Sequence, residues 1–408
     1  MDLESVLDSS NLGFNVVRSL GQGGMGSVFE AKRPDGRSVA VKVSQLSDSD
    51  PYSEDSVSNY QLRITQDGVT LIDHQGKTCD TTSLDENAIL KLHLHGIEST
   101  SLDHLNRLNY GNVVGYDGEQ LLGINGSLYS LLFLECLDNF RSLSDMIYDN
   151  KLNLTSKYKA ISQLSKFVSD IKTDGIITHR DIKPDNILVN SEGDIRMIDF
   201  GVSKVLGCKD CGEGRVIGTP GYIDPSSKEF DIFSSGMTAA AVFTNGESPI
   251  LYDKVDEYLF KMEILHNDVV NYEFFNGLKI TERPGMLSVL GKAGRKRPTY
   301  YNLLSNVDPN NTFEQAFKNA LDGFFERDFN KQLAKRNTNY NLGYNDQSRD
   351  SVLRKLSDYN VPQRIQEAIG EAILVNHTER SLTPLLIETR RMYAELSRVS
   401  LDPNAPVN

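Results

Sequence analysis

Thr178-His179-Arg180-Asp181-Ile182-Lys183-Pro184-Asp185-Asn186-Ile187-Leu188-Val189, followed ten residues later by Asp199-Phe200-Gly201, is the stretch on which the reading of this chain turns. It sets two carboxylates, an amide and a lysine at fixed separations, between apolar runs able to hold them rigid. Phosphoryl transfer asks a protein mainly to position a nucleophile and to neutralise phosphate charge. That calls for an acid, an amide-oxygen metal ligand, a second acid and a cation. Asp181, Asn186, Asp199 and Lys183 supply one of each, so the stretch reads as a metal–phosphate site.

Working outward toward the N-terminus, residues 14–20 have the apolar and β-branched character of a strand. Gly21-Gln22-Gly23-Gly24-Met25-Gly26 follows, and Ser27 to Ala31 reads as a second strand. A hairpin closed by glycines lets backbone approach phosphates, because glycine has no side chain to obstruct them. The rival dinucleotide-binding reading of Gly21, Gly23 and Gly26 requires a helix next, whereas Val28-Phe29 reads as strand. After the turn Pro34-Asp35-Gly36, the strand Ser38-Val39-Ala40-Val41-Lys42-Val43 is interrupted by one lysine. An edge strand with a solvated lysine would give that pattern. Beside the glycine hairpin, Lys42 reads instead as an ammonium aimed at phosphates.

Residues 44–82 are polar and carry a hairpin signal, Leu62-Arg63-Ile64-Thr65, Gln66-Asp67-Gly68 and Val69-Thr70-Leu71-Ile72, and are read as an insertion. Leu84 to Leu94 is compatible with a short helix, and Glu86 in it is the candidate ion-pair partner of Lys42. Ser83-Leu84-Asp85-Glu86 equally fits a capping box, in which Glu86 merely closes the helix start. Residues 96–127 read as loop-rich, Leu128 to Leu137 as a buried strand, and 155–173 as an amphipathic helix.

The 408 residues are 39% apolar and 24% charged, ordinary for a globular chain of two or three units or one two-lobed domain with an extension. A formal charge of -13 disfavours sequence-independent binding of nucleic acid, which needs clustered cations. Cys79, Cys136, Cys208 and Cys211 are too few for a disulfide scaffold, which agrees with a reducing compartment. With no apolar run long enough to span a bilayer and no signal-like start, a cytoplasmic location is expected.

In chain order come the glycine-rich loop, Val39-Ala40-Val41-Lys42, the His-Arg-Asp loop, Asp-Phe-Gly, Gly218-Thr219-Pro220-Gly221-Tyr222, and Asp231-Ile232-Phe233-Ser234-Ser235-Gly236. Together they resemble the eukaryotic-like (Hanks-type) Ser/Thr protein kinase family over residues 12–300. The resemblance implies an α+β bilobal fold: an N-lobe over 12–137 containing the insertion 44–82, a C-lobe over 138–340, and a helical extension over 341–408. It implies ATP with Mg²⁺, or alternatively Mn²⁺, and a protein substrate accepting phosphate on Ser or Thr. By the same resemblance Asp181 takes the proton of the attacking hydroxyl, and Lys183 meets the transferred phosphate. Asn186 and Asp199 hold the metal, and Lys42, paired to Glu86, contacts the phosphates. Val28, Ala40 and Leu188 resemble the residues that sandwich adenine, with Glu135 and Leu137 offering backbone groups to its edge. His179, Phe200 and Leu90 resemble the stack that aligns the lobes. A kinase-like scaffold without transfer is the alternative.

Several features depart from the family pattern. Asp224-Pro225-Ser226 stands where Ala-Pro-Glu is usual, so the acid of the ion pair bracing the lower lobe is missing. Arg297 is the favoured partner position, Arg336 the second, and Asp224 a doubtful substitute. Between Gly201 and Thr219 the only hydroxyl is Ser203, which implies an enzyme not switched on by phosphorylation there, with Asp210 or Glu213 standing in for a phosphate against Arg180. Cys208-Lys209-Asp210-Cys211 reads as two reduced cysteines rather than a redox pair or half a zinc site. Three helices are expected after residue 348, with an Ile365, Ile369, Ile373 face packing on the lower lobe or serving, like the insertion, as a partner dock. The glycine loop is similar to that of bacterial members, and with no membrane segment this suggests a bacterial kinase delivered into a host.

Overall fold

In the computed structural model the described residues are 6, 13–23, 26–47, 58–73, 75–79, 81, 84–210, 218–219, 221–224, 230–246 and 346–401. The chain divides into two compact units, residues 1–251 with 344–408, and residues 252–343. The C-terminal helices group with the N-terminal 251 residues. Everything described below belongs to the first unit. Arg297, Arg336, Cys211, Glu213 and the segment 402–408 lie outside the described residues.

The upper lobe is a seven-stranded antiparallel sheet with one long helix. Its strands are β1 (Asn15–Gly23), β2 (Gly26–Lys32), β3 (Ser38–Ser47), β4 (Ser58–Thr65), β5 (Gly68–Asp73), β6 (Tyr116–Ile124) and β7 (Ser127–Glu135), in the spatial order β1-β2-β3-β7-β6-β4-β5. Alternation along β3 and β7 buries Val39, Val41, Val43, Leu131 and Phe133 in one core with Phe29 and Ala31. The insertion hairpin β4–β5 therefore extends the sheet by pairing with β6 over Ser58–Tyr60. Its Tyr60 and Leu71 share a second core with Leu84, Ala88 and Leu92.

Helix α1 (Glu86–Arg107) has 22 residues, much longer than the expected segment ending at Leu94. Its N-cap is Asp85, whose carboxylate accepts the Ala88 amide. Residues from 96 onward read as loop-rich in sequence, but Ile97, Leu102 and Leu105 bury a continuing apolar face against the lobe, and that packing carries the helix on. Residues 96–127 are thus half helix and half strand rather than loop.

The lower lobe is helical: α2 (Leu143–Tyr148), α3 (Leu154–Asp174), α4 (Phe230–Phe243), α5 (Asp346–Asp358), α6 (Gln363–Ala372) and α7 (Thr383–Leu401). Small strands β8 (Arg141–Ser142), β9 (Ile177–Thr178), β10 (Ile187–Val189), β11 (Ile195–Met197) and β12 (Lys204–Val205) form two small sheets around the catalytic-loop segment. Helix α4 is buried along almost its whole length. The C-terminal helices close around it, α6 packing on α4 and α7 along α3, with Ile365, Ile369 and Ile373 fully buried. That isoleucine face is spent inside the chain.

Candidate active site

Two short ladders fix the catalytic loop. β9 pairs with β12 before it, and β10 pairs with β8 and β11 after it, so residues 179–186 are held at both ends. From below, the buried Asp231 of α4 accepts the amides of His179 and Arg180 at 2.7 and 2.8 Å. Those bonds hold Arg180 at φ 70°, while Asp199 sits at φ 61°. Non-glycine residues in this region persist only where their surroundings enforce it, and here both lie in the loops that carry the chemistry. The His179 ring packs against Phe200, centroids 4.6 Å apart, and its Nε2 lies 3.2 Å from the Ile198 carbonyl. Leu90, expected in the same stack, is half-buried two turns upstream of the part of α1 nearest the site.

At the loop's tip Asp181, Lys183, Asn186 and Thr219 form one cluster. The Thr219 hydroxyl donates to Asp181 Oδ1 at 2.7 Å, and Lys183 Nζ donates to Thr219 at 2.6 Å and lies 3.0 Å from Asp181 Oδ2. Asn186 Nδ2 donates to the Asp181 carbonyl at 2.9 Å and to its carboxylate at 2.8 Å. Those bonds orient the amide so that Oδ1 is the atom a cation would take. With the Asp199 carboxylate, 41% exposed, it makes a pair of hard oxygen donors of the kind Mg²⁺ prefers.

From above, Lys42 Nζ lies 2.7 and 2.8 Å from the two carboxylate oxygens of Glu98 and 3.4 Å from Asp199. The expected partner Glu86 is therefore replaced. It opens α1 twelve residues earlier, about 18 Å along the helix axis at ~1.5 Å per residue, whereas Glu98 is on the turn that faces β3. Sequence reasoning missed Glu98 because it ended the helix too early; the apolar spacing of Leu92, Ile97, Leu102 and Leu105 was the signal available. Burial pushes the Lys42 ammonium down, but the charges of Glu98 and Asp199 outweigh it and raise its pKa above the ordinary value. For Asp199, burial pushes up and Lys42, with His179 and Lys183, prevails and holds the carboxyl low.

The residues expected around adenine are placed by the sheet. Val28 stands opposite Lys42 in the β2–β3 register and is half-buried, Ala40 is buried, and Leu188 is half-buried on β10. Glu135 donates its amide to the Gly115 carbonyl at 2.8 Å, which leaves at most its carbonyl for a ligand, and the Leu137 carbonyl accepts from Phe140 at 3.3 Å. Gly21 and Gly23 end β1, and Gly26 opens β2 at φ 146°, where a Cβ would fall 2.3 Å from the Val43 carbonyl oxygen. Only glycine fits at that position.

Two ion pairs lie where the sequence departs from the family pattern. Arg180 donates from Nη1 and Nη2 to the two carboxylate oxygens of Asp210, at 2.7 and 2.6 Å, with side chains 9% and 19% exposed. Ser203 is buried and donates to the His179 carbonyl at 3.3 Å. The acid at this position is Asp224 itself, and among the described residues it pairs with Arg380, from the turn between α6 and α7, while the expected positions Arg297 and Arg336 lie outside the described residues. Among the described residues Cys79, Cys136 and Cys208 form no disulfide, and Cys211 lies outside them.

The site thus brings together two oxygen donors, a cation paired with Glu98 inside the upper lobe and 3.4 Å from Asp199, and an acid at a loop tip. The family model for the protein kinase domain matches residues 102–306, half of the chain, and the protein belongs to the protein kinase family. That family uses ATP and a divalent metal in general. The chain is 24% identical over 325 residues to cysteine-rich receptor-like protein kinase 26 of Arabidopsis thaliana, covering 70% of this chain and 42% of that protein. It is 28% identical over 286 residues to a probable LRR receptor-like serine/threonine-protein kinase of the same plant, covering 62% and 24%. It is 26% identical over 308 residues to a probable L-type lectin-domain containing receptor kinase, covering 69% and 38%. The chain thus spans less than half the length of these relatives. They lend no support to a bacterial, host-delivered origin. Among the described residues no helix is long and apolar enough to cross a membrane.

Proposed function

We propose that the protein is an ATP- and Mg²⁺-dependent serine/threonine protein kinase that works without phosphorylation of its activation segment. The cluster of Asp181, Lys183, Asn186 and Thr219 beneath the Lys42–Glu98 pair carries this reading. Asp181 is placed to accept the proton of an incoming hydroxyl, with Lys183 beside it to offset charge on the transferred group. Asn186 and Asp199 would hold the metal, which supplies charge neutralisation on the phosphates when bound. Lys42 is fixed to meet phosphate oxygens. The link of Thr219 to both Asp181 and Lys183 favours Ser or Thr as acceptor, since it builds the acceptor side of the loop from the residue types of that branch.

Asp210 supports the second half of the proposal. A carboxylate held bidentately by Arg180 supplies the negative charge that a loop phosphate brings elsewhere. The test is transfer of labelled phosphate from ATP with Mg²⁺ to a generic basic protein, beside Asp181→Ala. Removing a general base typically costs ~10²–10⁴-fold in rate. Loss of transfer in the variant supports the kinase; nucleotide binding with no transfer by the wild type would give the scaffold reading instead.

A further inference from the structure

We propose that the β4–β5 hairpin is a built-in activator of the site: it holds α1, and hence Glu98, against β3 and pins the activation segment at Lys209. This deepens the kinase reading and rests on it. The hairpin pairs with β6 only through Ser58, Asn59 and Tyr60; beyond Tyr60, β4 leaves the sheet edge and runs onto α1. There Leu62 and Ile64 close on Gly96. A Cβ at Gly96 would fall 2.6 Å from Ile64 Cδ1 and 2.7 Å from Leu62 Cδ2, so the contact is set by a missing side chain two residues before Glu98.

The tip of the hairpin reaches further. The Thr65 carbonyl accepts the Lys209 amide at 2.9 Å, while the Lys209 carbonyl accepts from His93 Nε2 of α1 at 2.8 Å, which sets the proton of that ring on Nε2. Lys209 is thus held by the hairpin on one side and by α1 on the other. The next residue, Asp210, is the one gripped by Arg180, whose chain neighbour is Asp181. Contacts run unbroken from the hairpin to both halves of the site, the Lys42–Glu98 pair and the catalytic loop. Because the hairpin belongs to the same chain, its effective concentration is fixed by the fold, and no modification is needed to bring it there. Leu62, Ile64 and Thr65 act as positioning residues, distinct from the groups that touch substrate.

The full-length protein with Leu62→Ala/Ile64→Ala tests this, read by hydrogen exchange over residues 204–210, by steady-state phosphotransfer and by thermal unfolding. The expected result is a cooperatively folded variant with faster exchange at 204–210, which the truncated side chains do not carry. Its kcat should fall by about tenfold with little change in KM for the protein substrate. Adding Gly96→Ala should restore part of both, since the new methyl fills the space vacated by Ile64. Unchanged exchange at 204–210 together with unchanged kcat overturns the proposal, as does a change confined to the hairpin. If the double variant does not fold, Ile64→Val is read by the same criteria. If the wild type transfers no phosphate, the kinase reading fails, and the exchange measurement still decides whether the hairpin pins the segment.

Discussion

Lys42 and Glu98 meet in a bidentate pair, Nζ to carboxylate 2.7 and 2.8 Å, with side chains 13% and 6% exposed. The pair joins β3 to α1 directly above Asp199, so the position of a whole helix is registered at one ammonium. Glu98→Gln removes the charge but keeps the shape. Breaking a buried pair leaves an uncompensated charge and costs about 3–5 kcal/mol when removed outright. If about half of that falls on the transition state, kcat/KM for ATP drops by roughly 10- to 70-fold. Glu86→Gln, at the far end of the helix, should leave kcat/KM unchanged. Equal effects of the two substitutions would refute the pairing.

The Arg180–Asp210 contact predicts independence from loop phosphorylation. Purified active protein should show no phosphate between residues 201 and 219 by mass spectrometry, and phosphatase treatment should leave its rate unaltered. Asp210→Asn should lower kcat by about tenfold, since the amide offers Arg180 one acceptor oxygen in place of two and the ion pair is lost. Ser203→Ala should change little, because that hydroxyl is buried on the His179 carbonyl. A phosphatase-sensitive rate would refute this account.

The catalytic loop was legible in sequence because its chemistry is local: Asp181, Lys183 and Asn186 lie within six residues, and their roles follow from type and spacing. The strands β2, β3 and β7 were legible for a similar reason, through local runs of apolar and β-branched residues. What escaped depended on contacts distant in the chain. Glu98 is selected over Glu86 only by the direction α1 takes across the sheet. Arg380 meets Asp224 across 156 residues, and no local pattern marks either as a partner. Gly96 sits inside the helix that sequence ended at Leu94, and Leu62 and Ile64 fill the space its side chain would occupy.

Asp199 gives a prediction in pH. Its carboxyl titrates below the ordinary value of 3.8, since Lys42 outweighs the effect of burial. A group held low in the folded state adds stability above its unfolded pKa and loses it as pH falls through the folded one. Urea unfolding of the wild type and of Asp199→Asn should therefore differ by a constant amount from about pH 6 to about pH 5, with the gap narrowing steadily below about pH 4. A gap that widens toward acid would show that Asp199 is not held charged by Lys42. The same variant should bind Mg²⁺–ATP more weakly while folding normally at neutral pH.

Arg380 decides whether the C-terminal helices are accessory or structural. Its guanidinium hydrogen-bonds the Asp224 carboxylate with side chains 0% and 1% exposed, its Nε donates to the Leu374 carbonyl at 2.7 Å, and it stacks 4.7 Å from the centroid of Phe233 on α4. One side chain thus ties the end of the activation segment, the α6–α7 turn and the central helix of the lobe. Arg380→Met keeps much of the volume and removes a cation hydrogen-bonded to a buried carboxylate, so unfolding free energy should fall by about 3–5 kcal/mol. Asp224→Asn/Arg380→Met should cost clearly less than the two single changes added together, because each alone strands a partner that the double variant removes. Simple additivity would mean that the two groups do not interact. A chain ending at residue 345 loses Arg380 together with the Ile365–Ile369–Ile373 face, and should fail to unfold cooperatively. A cooperative, active truncated protein would make residues 346–401 an appendage, against the burial that places them in the core.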